Sequence, residues 1–277
     1  MKISISIVVY KPGIKLLYDV IARLRKSVSR LRECGHIQVC LDIINNNPHD
    51  DTFLQLKAQM GHAPENDKLP VTLTESPGNI GYGAANNISI KKHTGSDYHL
   101  VLNPDVFLES DTLFKAVEFM EANPQVGLLT PKVVGFDGEI HYLCKRNSTL
   151  LDMFLRSFAP RFIKRIFAER MAEFLMLDQD YENIISPVQY PSGCFMFFRG
   201  DILRKINGFD EWFFMYLEDA DIGRRILQLA DVTYVPSVVI HHQWARGTHN
   251  SLRLRLITVV SALKYWYKWG GIFSSNP

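Results

Sequence analysis

The feature that most restricts the fold is an alternation of short β-branched runs with longer amphipathic ones. "ISISIVVY" (3–10) is apolar and is stopped by Lys11-Pro12-Gly13, the pattern of a buried strand. Residues 14–33 then repeat Ile14, Leu17, Val20, Ile21, Leu24, Val28 and Leu31 at helical spacing, one apolar face. Further strands are expected at 37–48, 69–79 and 97–106, with a glycine-started helix at 79–93. Strands alternating with helices predict an α/β sheet whose ligands lie beyond the carboxyl ends of the strands. Asn and Asp residues collect at those ends.

The second half alternates less regularly. A hairpin is expected over 127–143 with its turn at Asp137-Gly138, then a basic, aromatic helical segment over 150–177. A strand entering a short helix follows at 190–203, then a helix at 218–230, a strand at 232–242 and an amphipathic helix at 250–269.

Composition removes several function classes. The 277 residues carry a net charge of +2 and no nucleic-acid-reading signature, so no nucleic-acid partner is expected. Four cysteines without a C-x-x-C pair point to neither zinc nor a disulfide framework. The opening apolar run is too short for a signal peptide, and no stretch approaches the ~20 apolar residues of a membrane span. The expectation is a chain that is soluble or membrane-attached and does not cross.

Four constellations carry chemistry. In "LNPDV", a strand would turn Asn103 and Asp105 to one side, offering oxygens to a hard divalent cation that also grips a diphosphate; a capped Asx-Pro turn is the plain alternative. In "SPGNIGYGAANN", Gly81 and Gly83 would let backbone approach a phosphate or sugar, although neither G-x-G-x-x-G nor a P-loop is present. "FDEWFFMYLEDADIGRR" sets Glu218, Asp219 and Asp221 behind Trp212, Phe213, Phe214 and Tyr216. Asp221 and Arg225 are i,i+4 partners; the other two acids, walled by apolar groups, would be strong proton acceptors, as a general base requires. Finally, His241 and His242 end a strand and cannot both face one way, so one would bind metal while the other packs, or the pair is a bare surface feature.

Taken in order, I-I-N-N-N-P, N-I-G-Y-G-A-A-N-N, L-N-P-D, S-G-C-F-M-F-F-R, G-F-D-E-x-F-F-M-Y-x-E-D-x-D-x-x-R-R and P-x-x-x-x-H-H resemble the inverting glycosyltransferase family 2 over roughly residues 3–269. "HHQWARGTHNS" and "SALKYWYKWG" resemble its bacterial rhamnosyltransferases of O-antigen and capsule assembly. The resemblance implies a GT-A fold, a Rossmann-like mixed sheet flanked by helices with a C-terminal membrane-proximal helical extension. It divides the chain into a nucleotide-sugar half (1–106), an acceptor and catalytic half (107–245) and an amphipathic C-terminal segment (246–277).

The same resemblance implies site roles. Tyr10, Asn45, Asn79, Gly81, Gly83, Asn103 and Asp105 would hold the donor. Asp105 with His242, or else His241, would hold Mg²⁺ or Mn²⁺. Asp219 would be the base with Glu218 beside it, and Trp212, Tyr216, Trp244 and Arg246 would face the acceptor. It implies dTDP-rhamnose as donor, a polyprenyl-diphosphate-linked acceptor, and a place on the cytoplasmic side of the membrane, to which the basic, aromatic segments at 153–175 and 252–269 are suited. Asn45 and Asn103 stand where many relatives carry Asp. The rival readings are a UDP-hexose or UDP-N-acetylhexosamine donor, a nucleotidyltransferase, and a catalytically silent sugar-nucleotide-binding module.

Overall fold

The computed structural model describes residues 1–48, 51–60, 69–147, 149–157, 159–243 and 252–270. A nine-stranded mixed sheet runs in the order β3-β2-β1-β4-β8-β6-β9-β5, with β7 added to β6. The strands are β1 (Lys2–Val9), β2 (Gln38–Asn45), β3 (Val71–Glu75), β4 (Tyr98–Leu102), β5 (Val106–Leu108), β6 (Val126–Val134), β7 (Ile140–His141), β8 (Phe195–Arg199) and β9 (Asp231–His242). The helices are α1 (Ile14–Arg32), α2 (Asp51–Met60), α3 (Tyr82–Lys92), α4 (Thr112–Ala122), α5 (Leu150–Ser157), α6 (Arg161–Ile166), α7 (Ala168–Phe174), α8 (Gly200–Lys205), α9 (Glu218–Ile226) and α10 (Leu252–Trp269).

The first half is as the alternation predicts. β1 pairs in parallel with β2 and β4, and β2 with β3, while the Leu17–Leu31 face of α1 is buried in the core beneath β1, β2 and β4. One expected strand divides in two. Residues 97–106 form β4, a turn at 103–105 and the separate strand β5, because Pro104 has no N–H for a ladder and Val106 N instead closes on Asn103 O at 3.3 Å. β5 then crosses to the far edge, antiparallel to β9.

β8 enters between β4 and β6, antiparallel to both, and β9 runs parallel to β6. Hence β1, β2, β3, β4, β6 and β9 share one direction, and their carboxyl ends lie on one rim together with the start of β8. That rim carries Tyr10, Asn45, Asn103 to Asp105, Gly193 and His242.

Candidate functional site

At the rim, β4 and β8 are in register from Leu102 opposite Phe195, so the Asn103 N–H continues the ladder to Cys194 O at 2.9 Å. This sets the 103–105 turn beside Gly193. Tyr82, at the start of α3, ties the two together: its hydroxyl lies 2.9 Å from both Asn103 Oδ1 and Gly193 O. On the other side of Gly193 stands Asp219, whose Oδ2 accepts the Gly193 N–H at 3.2 Å, while Oδ1 accepts the Ala220 N–H at 3.0 Å. A chain of named contacts thus connects the turn holding Asp105 to the first turn of α9.

Glu218 and Asp219 are held there by backbone strain. Tyr216 and Leu217 both adopt positive φ, 69° and 68°, a region costly for side chains of this size and found where a site over-determines the chain. Glu218 is 6% exposed, and its Oε2 has no hydrogen-bond partner among the described residues. Burial pushes the Glu218 carboxyl well above the ordinary glutamate range, and the Asp219 charge pushes it further. Asp219 is half-buried, and desolvation raises its carboxyl too, against the pull of the Lys145 ammonium and of the two backbone N–H groups. At neutral pH such a pair resists carrying two full charges, so it binds a proton more readily than free carboxyls do.

This has a consequence for stability. A raised acid stabilises the fold only while protonated; that contribution is full below the unfolded glutamate value of about 4.3 and is lost as pH rises through the folded value. Glu218→Gln is therefore expected to gain thermal stability over the native chain progressively as pH climbs from about 4.3. Melting curves across that range check it, and a difference that is flat or shrinks with pH contradicts it.

Asp221 belongs elsewhere. It is fully buried and pairs with Arg225 Nε at 2.8 Å, as its spacing predicts, and also with Lys268 Nζ at 2.7 Å and Trp269 Nε1 at 2.9 Å. The acidic run therefore splits, with Glu218 and Asp219 at the rim and Asp221 fastening α10.

The two histidines separate by strand alternation. His242 Nε2 lies 3.3 Å from Asp105 Oδ1, because β5 and β9 pair Val106 with His242. His241 faces the other way, 3.1 Å from Glu109 Oε1 and beside the Phe136 ring, so of the two it is His242 that stands beside Asp105. Neighbouring donors around an ion at about 2.1 Å stand roughly 3 Å apart, so Asp105 and His242 fit two positions of one divalent cation. Among the described residues no third His, Cys, Asp or Glu completes a cage, which suits an ion taking the rest of its shell from a diphosphate and water.

The glycines have a packing role. Gly81 has φ +92°, and a Cβ there would stand 2.1 Å from Phe214 O; a Cβ on Gly83 would stand 2.9 Å from the Phe209 side chain. Both permit α3 to dock on the 209–214 segment, sealed by Tyr82 N to Phe214 O at 2.9 Å, so their close approach is to the chain itself. The adjacent turn is stitched by Asn46, whose Oδ1 accepts the Ile80 N–H at 3.0 Å and whose amide donates to Asn79 Oδ1 at 3.1 Å and Gly81 O at 3.2 Å. Asn45 is buried, and its side-chain amide nitrogen has no partner among the described residues. Tyr10 is half exposed at the same rim.

Trp212 packs against α10. Its ring stacks edge-on to Tyr267 and lies under Lys264, against α10. Tyr216 remains at the acid pair, where burial and Glu218 raise its hydroxyl pKa. Trp244 and Arg246 lie outside the described residues.

Three residues escaped the sequence reading: Tyr82, Asn46 and Lys145. Lys145 is buried, its Nζ 4.1 Å from the centroid of Tyr190, with which it forms a two-hydrogen-bond bridge just ahead of Gly193. Tyr82 and Asn46 sat inside quoted motifs, where the Asn and Gly pattern marked the place but not the partner. Lys145 gave no local signal, since its role depends on a strand pairing forty-five residues away in sequence.

With this geometry in hand, the chain is similar to known transferases. It is 28% identical over 195 residues to the N-acetylglucosaminyl-diphospho-decaprenol L-rhamnosyltransferase of Mycobacterium tuberculosis, covering 64% of this chain and 60% of that protein. Over 176 residues it is 28% identical to the rhamnosyltransferase WbbL of Escherichia coli, covering 60% and 62% respectively. It thus spans about three-fifths of the length of the curated relatives it matches. No family model matches. Among solved structures, the mannosyltransferase PcManGT of Pyrobaculum calidifontis, in complex with GDP-Man and Mn²⁺, superposes with a TM-score of 0.62 at 16% identity over 96% of this chain and 63% of that one. That likeness establishes the GT-A fold.

Proposed function

We propose that the chain is an inverting glycosyltransferase that moves L-rhamnose from dTDP-β-L-rhamnose to a hydroxyl of a bacterial surface polysaccharide growing on a polyprenyl diphosphate. The observation that carries this is the convergence on one rim of Asp105 with His242 and, through Asn103, Tyr82 and Gly193, of Asp219. The rhamnosyl donor and lipid-linked acceptor are supported by the names of the curated relatives.

In this reading Tyr10 and Asn45 meet the nucleoside at the ends of β1 and β2, and Asn46 holds the 79–81 turn that closes over it. Asp105 and His242 would hold Mg²⁺ or Mn²⁺, which when bound would offset charge on the diphosphate. Asp219 accepts the proton of the acceptor hydroxyl while that oxygen bonds to the anomeric carbon. The bond from that carbon to the diphosphate oxygen breaks in the same displacement, its electron pair leaving with the nucleoside diphosphate, and the configuration inverts. Tyr216 walls the acid pair and keeps water from it. Lys145 holds Asp219 toward its ionised, accepting form.

Among the described residues no helix is long and apolar enough to cross a membrane. A peripheral contact with the cytoplasmic face of the membrane fits Phe162 and Ile166 of α6 and Leu263 and Tyr267 of α10, all exposed, with Arg165, Arg253 and Arg255 exposed on the same helices.

A panel of nucleotide sugars, each with and without Mn²⁺, tests the donor. A ligand present at one hundred times its Kd adds about 2.7 kcal/mol to stability, a plain shift in Tm. The expected result is a shift with dTDP compounds that Mn²⁺ enlarges. A shift with UDP sugars alone moves the assignment to a UDP-hexose or UDP-N-acetylhexosamine donor, and no shift with any of them ends it.

A further inference from the structure

α10 has two working faces. The inner one holds the segment that leads to the acid pair: Ser261 Oγ donates to Met215 O at 2.8 Å, Lys264 Nζ to Trp212 O at 2.6 Å, and Lys268 pairs with Asp210 at 2.6 Å. Ala262 and Tyr265 are buried with Phe213, Leu217 and Ala220. The outer face is apolar. Leu252, Leu256 and Val260 recur every fourth residue and so form one ridge, which ends at Lys264 on the boundary with the inner face. The first three are 73%, 59% and 50% exposed, which gives a contiguous apolar surface of the kind that marks a binding site.

Beside this ridge the surface is concave. Leu252, Leu256, Ile257, Val260 and Phe214 wall a groove of about 440 Å³, a size typical of small-ligand sites. Among the described residues its charged groups are both cations, Arg253 and Lys264, no acid lines it, and α10 contains none. The groove also adjoins the candidate site. Phe214 is the residue whose carbonyl receives the Tyr82 N–H, and Glu218 follows four residues later.

We propose that this groove binds the isoprenoid chain of a diphosphate-linked acceptor, with the Lys264 ammonium taking the diphosphate and the chain running along Val260 and Leu256 toward Leu252. This rests on the acceptor reading given above and adds where the lipid lies. Lys264 gives one of its three donors to Trp212 O and stands over the Trp212 ring, with no further hydrogen bond among the described residues, which leaves donors for phosphate oxygens. The occupant matches the groove in both respects, an apolar chain for apolar walls and an anionic head for a cation at the end nearest the 212–215 segment.

The probe is geranylgeranyl diphosphate, titrated calorimetrically into the full chain, with geranylgeraniol and inorganic diphosphate as its two halves. The intact amphiphile is expected to bind at least tenfold tighter than either half. Leu256→Glu combined with Val260→Glu, both at exposed positions that leave the core untouched, is expected to weaken it at least tenfold. Lys264→Gln is expected to weaken the diphosphate but not the alcohol. Unchanged affinity in the double variant overturns the proposal. It is also overturned if that variant loses binding to phosphatidylglycerol vesicles while keeping the probe, because the ridge is then a bilayer contact. The dTDP-induced Tm shift, measured on the same samples, is expected to stay unchanged in all variants; its absence from the native chain would refute the dTDP-donor reading without bearing on the groove.

Discussion

Asp219→Asn is expected to lower sugar transfer by about 10³-fold, within the usual range for loss of a general base, while the dTDP-induced Tm shift stays within a degree or two of the native one. The amide keeps the size of the side chain and can still accept the Gly193 N–H through its oxygen, so the start of β8 and the Tyr82 link to Asn103 have no reason to move. What it loses is the ability to take a proton. The donor ligands assigned to the far side of Gly193, Asp105 and His242, are untouched. The readout is initial-rate transfer at saturating donor alongside the thermal shift. Near-native turnover would refute the base assignment, and loss of the thermal shift as well would mean that Asp219 belongs to the donor site.

The same substitution examined across pH separates Asp219 from Glu218. Burial and the neighbouring negative charge push Glu218 up, whereas Lys145 opposes the rise of Asp219. Glu218 is therefore the better holder of a shared proton and Asp219 the better acceptor of a new one. Neutral Glu218 also explains how an acid can be 6% exposed with one oxygen lacking a partner among the described residues, since the cost of burial falls mainly on the ionised form.

Periodic features were readable from residues alone. β1, α1, β2 and the i,i+4 pair Asp221–Arg225 follow from spacing, which depends only on local geometry. What depends on a partner elsewhere in the chain was not. "LNPDV" reads as a strand end, and only the missing N–H of Pro104 hints that β5 leaves for another edge. A glycine announces that something approaches closely but not what, and at Gly81 and Gly83 the structure brings Phe214 and Phe209 close. An aromatic beside acids suggests a cleft wall but not its other neighbours, and Trp212 meets α10 through Tyr267 and Lys264, more than fifty residues on. The two histidines show the opposite case. Alternation says they face apart, and the register with β5 decides which one meets Asp105.

Asp221→Ala is expected to cost about 3 kcal/mol or more, the effect of removing one partner from a buried ion pair. The side chain is fully buried, and three groups depend on it: Arg225 on its own helix, and Lys268 and Trp269 on α10. The cost falls unevenly on the three. Lys268 keeps Asp210 at 2.6 Å and is a quarter exposed, so it finds compensation. Arg225 is 16% exposed and is left with its bond to Ile206 O at 2.7 Å, and the Trp269 indole loses its acceptor. Asp221→Asn, which preserves shape and an acceptor oxygen, should cost distinctly less, so the difference between the two variants reports the desolvated cation more than lost packing. Urea unfolding monitored by Trp fluorescence measures both, with an unchanged slope indicating that the native state remains compact. A loss under about 1 kcal/mol for the alanine variant would mean that α10 is held mainly by Tyr265, Ala262 and the backbone-directed bonds of Ser261 and Lys264.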